Sequence, residues 1–128
     1  MALLLVAALL FSSTTLGKGV YQTVPEFLTE IFAPEEPQQD YLWLTPELKA
    51  SASEIINHPV RGLRIRYWRS DEKTVWVMEE IGKELPITIG VVVSQDNIEK
   101  IKILAFRESR GWEVRYAAFT AQYQGVKI

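Results

Sequence analysis

The stretch from Ile87 to Gly111, ITIGVVVSQDNIEKIKILAFRESRG, constrains the fold most. Ile87, Ile89, Val91 and Val93 alternate with Thr88, Gly90, Val92 and Ser94, the period of two expected when successive side chains point to opposite sheet faces. Ser94 to Asn97 supplies a polar turn, and Ile101, Ile103 and Ala105 then oppose Lys100 and Lys102. Leu104 and Phe106 make the end of this second strand apolar on both faces, which predicts a cover there. The strand runs into Glu108-Ser109-Arg110-Gly111-Trp112, a loop combining an acid, a hydroxyl, a guanidinium, a backbone hinge and an indole. Strand-to-helix junctions of this kind hold ligands because the first N–H groups of a helix are unpaired.

A second hairpin precedes it. Gly62 to Arg69 alternates Leu63, Ile65 and Tyr67 against Arg64, Arg66 and Trp68, Ser70 to Lys73 turns the chain, and Thr74 to Ile81 returns. Upstream, Val24-Pro25 opens a short helix with Phe27, Leu28, Ile31 and Phe32 on one face. Ala33 to Asp40, with two prolines and three carboxylates, reads as an exposed connector. Thr45-Pro46-Glu47 starts a second helix, capped by Thr45, with Leu48, Ala52, Ile55 and Ile56 as its buried stripe and His58-Pro59 as its end. Tyr116 to Gln124 is predicted helical, with Gly125 as the stop. The expected fold is α+β: an antiparallel sheet of two hairpins packed with two N-terminal helices and one C-terminal helix.

At 128 residues and 48% hydrophobic content the chain suits one core. Ala2 to Phe11 is wholly apolar and is followed by Ser12 to Thr15, so residues 1–17 read as a signal peptide or a short membrane anchor. Residues 18–60 then form a helical N-terminal segment and residues 61–128 the α+β region. The localisation expected is periplasmic or on the outer face of the cytoplasmic membrane.

Composition excludes several chemistries. The chain has no cysteine and one histidine, so thiolate catalysis, disulfides and Cys- or His-rich metal centres are out, and no metal site is expected. A hydrolase would need a spaced carboxylate pair; Glu79 and Glu80 are adjacent on a strand and point to opposite faces. Arg61, Arg64, Arg66 and Arg69 lie close to Tyr67 and Trp68, but acids follow at once and the net charge is −2, so no nucleic-acid partner is expected.

The stretch EIGKELPITIGVVVSQDNIEKIKILAFRESRGWEVRYAAFTAQYQG resembles the FMN-binding domain family, which includes the C subunit of the sodium-pumping NADH:quinone reductase and the G subunit of Rnf-type complexes. Gly90, the turn at Ser94 to Asn97, Glu108, Gly111, Phe119, Gln122 and Gly125 fall in the family's places, with Ser109 standing for a threonine of an E-T-P-G-L-G loop; Arg110, Trp112 and Glu113 depart from it. The resemblance implies bound FMN, with Glu108, Ser109, Arg110, Gly111 and Trp112 as the residues that hold it, and no catalytic side chain. It implies a redox component rather than a stand-alone enzyme, with redox proteins of a membrane assembly as partners and membrane association through the N-terminus. It also implies a flavin joined through its phosphate to a threonine of an S-G-A-T-like motif beyond the closing helix. No such motif occurs up to Ile128, so the chain reads either as cut short of it or as a lineage without it; Thr120 does not stand in its place. The other reading is a secreted, non-catalytic protein-binding module without cofactor, presenting Trp43, Trp68 and Trp76.

Overall fold

A computed structural model describes residues 19–128; the leader or anchor expected at residues 1–17 lies outside them. The fold is α+β, a five-stranded antiparallel meander in the order β1 (Gln38–Trp43), β2 (Arg64–Ser70), β3 (Lys73–Ile81), β4 (Pro86–Ser94) and β5 (Asn97–Phe106). The two predicted hairpins are β2–β3 and β4–β5, their turns tightened to Asp71-Glu72 and Gln95-Asp96.

Helix α1 (Val24–Phe32) holds one sheet face. Thr23 and Glu26 close a capping box at its start, satisfying two of the N–H groups that a helix N-terminus leaves open. Its apolar side meets Trp68, Val75, Val92 and Leu104, and Phe27 is fully buried. Gly90 makes this approach possible, because a Cβ there would lie 2.4 Å from Phe27 Cε1. Lys102 and Lys100 flank the helix and reach Glu30 at 3.3 and 3.9 Å. A register shift between Thr88 and Ile89 accompanies the burial of consecutive residues Ile103 to Phe106, the doubly apolar strand end read from sequence. Gly19 to Gln22 covers its outer edge: Phe106 N–H donates to Gly19 O, while Tyr21 and Gln22 N–H donate to Leu104 O.

Three expectations change. First, the segment 18–60 is not purely helical, since β1 lies inside it and pairs with β2 from Gln38↔Arg69 to Trp43↔Arg64. Second, helix α2 (Pro46–Ile56), capped by Thr45 as predicted, has no buried residue. Of its predicted apolar stripe only Ala52 is half-buried, beside Lys49 and Ser53, and Leu48, Ile55 and Ile56 are exposed. Third, the predicted C-terminal helix breaks into a 3-10 turn (Trp112–Arg115), a four-residue α3 (Ala117–Thr120) and a second 3-10 turn (Ala121–Tyr123). Gly125 does end it, at φ +80, and Val126 to Ile128 then pairs with the start of β5.

Candidate functional site: the loop after β5

The residues leading into the loop are tightly held. Arg107 donates to Pro86 O at 2.9 Å and to Thr88 Oγ1 at 3.1 Å, locking the end of β5 to the start of β4. Glu108 Oε1 accepts from the backbone N–H groups of Glu84 at 2.5 Å and Leu85 at 2.6 Å. These two amides, Glu84 first, with further help from Lys83, hold the Glu108 carboxyl below its ordinary pKa because they stabilise the charged form. Glu108 Oε1 therefore faces the β3–β4 connection and pins the loop to it. Gly82 sits under this contact, its N–H donating to Leu85 O at 3.0 Å.

On that base Ser109, Arg110, Gly111 and Trp112 are all exposed. The N–H groups of Ser109, Arg110 and Gly111 have no partner among the described residues. Gly111 adopts φ +86, a left-handed conformation that glycine takes without steric cost. Phe106 is buried beneath the loop, its Cζ 3.5 Å from the point where a Gly111 Cβ would be.

Rings nonetheless gather here. Trp112 and Tyr116 meet edge to face at 5.6 Å. The Arg115 guanidinium stands 4.5 Å from the Tyr21 ring centroid, 5.3 Å from Tyr116 and 5.6 Å from Trp112. Arg115 and Tyr21 were not singled out from sequence; the spacing of Trp112 and Arg115, three residues apart, was the available signal. Phe119 and Tyr123 continue the aromatic row, and all four rings of this segment are 37–46% exposed. Beside Tyr21, Gln22 Oε1 is buried without a hydrogen-bond partner. Hollows lie along Lys73, Ser94, Asn97 and Gly125 and between the end of α1 and Trp68, and the exposed residues 109–112 form an open shelf.

Other candidates are occupied or isolated. His58 Nε2 pairs with Glu80 Oε1 at 3.2 Å on the surface, and Glu79 accepts from Thr88 Oγ1 on the opposite face. No group of three or more His, Cys, Asp or Glu able to hold a metal occurs among the described residues. No protein-family profile, curated protein or solved structure matches the chain.

Proposed function

We propose that this chain is the FMN-holding domain of an exported or membrane-associated electron carrier, with the flavin seated on the shelf at residues 108–112. The observation that carries the reading is the juxtaposition of three free backbone N–H groups, two unpaired guanidiniums (Arg110 and Arg115) and a row of half-exposed rings at one strand end. This donor set fits the group. The N–H groups of Ser109 to Gly111 and the Arg110 guanidinium suit a phosphate, and Trp112 and Tyr116 offer apolar surface to a planar ring system. Bound FMN would supply reversible electron transfer. The protein's part is to bind and orient it: Glu108 and Arg107 hold the shelf still, and the guanidiniums favour the anionic form of the cofactor.

Titration with FMN and with riboflavin, followed by flavin and tryptophan fluorescence, tests this. Saturable binding is expected, about 10- to 150-fold tighter for FMN than for riboflavin, since charge-assisted hydrogen bonds to the phosphate are worth about 1.5–3 kcal/mol. Gly111→Val should abolish it. Absence of saturable quenching by either flavin overturns the proposal.

A second reading, the cofactor-free binding module, draws support from Trp43, which is 59% exposed. The other two tryptophans expected to serve it do not: Trp68 is buried in the core and Trp76 stacks on Tyr67 at 4.4 Å.

A further inference from the structure

The strand registers place the C-terminal ends of β1, β3 and β5 and the N-terminal ends of β2 and β4 at one end of the sheet, through Trp43↔Arg64, Ile81↔Pro86 and Ile87↔Phe106. Gly19, bonded to Phe106, enters at the same end, and α2 hangs from it between Trp43 and Arg64. Exposed apolar side chains stand there, Ile55 at 84%, Leu63 at 74%, Trp43 and Ile81 at 59%, Leu85 at 44% and Trp112 at 41%, while the opposite end carries Ile128 at 67% and Val126 at 44%.

We propose that this end of the sheet is a membrane-docking face, its apolar tips entering the headgroup region of a lipid bilayer. Two observations point to a bilayer as the occupant. First, the apolar run Ala2 to Phe11 precedes Gly19 by only residues 12–18. At the limit of chain extension those seven residues span about 25 Å, so a bilayer holding the run lies within reach of this end. Second, arginines flank the tips as they do at membrane interfaces, where the stem is buried and the head stays wet: Arg61 and Arg64 bracket Leu63, and the Arg64 guanidinium lies 5.3 Å from the Trp43 ring. No described helix is long and apolar enough to cross a membrane. The proposal holds whether or not FMN occupies the shelf, which shares this end.

The chain contains no cysteine, so single probes can be placed at will. Ile55→Cys, Leu63→Cys and, at the opposite end, Glu72→Cys are labelled in the full chain with an environment-sensitive fluorophore and mixed with vesicles of 30% phosphatidylglycerol and 70% phosphatidylcholine. Blue-shifted emission, brightened several-fold and quenched by brominated lipid, is expected at positions 55 and 63 and not at 72. Vesicle-bound protein whose probes at 55 and 63 behave like the one at 72 overturns the proposal, because binding then resides in the N-terminal run alone. Failure to bind vesicles overturns it too. A shift that arises without lipid and grows with protein concentration assigns the face to a second copy and equally overturns it.

Discussion

The two ends of the sheet are built on opposite plans. At one end the hairpins close through Asp71-Glu72 and Gln95-Asp96, with Asp71, Gln95 and Asp96 in left-handed conformation, and Val126 to Ile128 bonds back onto the start of β5. Two-residue loops of this kind match the twist of the strands and fix their register, leaving little backbone unpaired. At the other end the connections run through residues 57–63, 82–85 and 107–111, and they carry exposed apolar tips, unpaired arginines and free N–H groups. The tight end specifies pairing so that the loose end can vary without losing register, the usual separation between a scaffold and the loops that act.

That separation requires a shared core, and Gly90→Ala tests it with the largest expected effect. The new Cβ would meet Phe27 Cε1 at 2.4 Å in the one place where α1 and the sheet touch most closely. Overpacking of this kind costs about 1–3 kcal/mol. In urea denaturation the midpoint should fall with an unchanged slope, and amides at both ends should lose protection together. Loss confined to one end would show that the ends fold separately.

A smaller effect separates the two clips on the outer edge of β5. Gly19 and Gly125 have nearly the same positive φ, +79 and +80. A Cβ on Gly125 meets nothing within 4 Å, whereas one on Gly19 would lie 2.4 Å from Phe106 O. Gly125→Ala should therefore cost only the left-handed backbone penalty, about 1–2 kcal/mol. Gly19→Ala adds a clash that only release of the N-terminal bridge can relieve. Hydrogen exchange should show the Phe106 and Tyr21 amides opening in Gly19→Ala, and the Ile98 and Ile128 amides retaining most of their protection in Gly125→Ala.

Much of the tight end was legible in the sequence, and less of the loose end. Alternation and polar turns identified four strands, and Thr45-Pro46 announced α2. Strand β1 escaped because Gln38-Gln39-Asp40 follows a proline-rich connector and consists of residues that strands disfavour; it forms as an edge strand because β2 offers it a partner. Helix α2 has the apolar spacing of a buried helix, but spacing does not say what lies opposite, and of its stripe only Ala52 is half-buried while Leu48, Ile55 and Ile56 stay exposed. The C-terminal helix shortened into 3-10 turns because the chain must curl back to bridge Asn97 with Lys127. At the shelf, the exposure of Ser109 to Trp112 agreed with the loop pattern, while the inward turn of Glu108 depended on amides 23 and 24 residues away that no local pattern links to it.

Glu108 offers the mildest test, because it acts on the loose end alone. Its folded-state pKa is lowered, so its carboxylate stabilises the fold at pH values above the ordinary carboxylate range, and that contribution is lost as pH falls through the lowered folded value. Acidification should therefore free the Glu84 and Leu85 amides, the two groups it accepts from, before it affects the tight turns, whose geometry rests on backbone conformation. Glu108→Ala should produce the same opening at neutral pH and remove its pH dependence. Glu108→Gln, which keeps an acceptor oxygen but no charge, should leave the connection closed and insensitive to acid. NMR amide shifts of Glu84 and Leu85 against pH, read beside those of Asp71 and Gln95, distinguish the cases: parallel titration of all four would mean that the pin at Glu108 does not act locally, and the contrast between the ends would fail at the residue that best defines it.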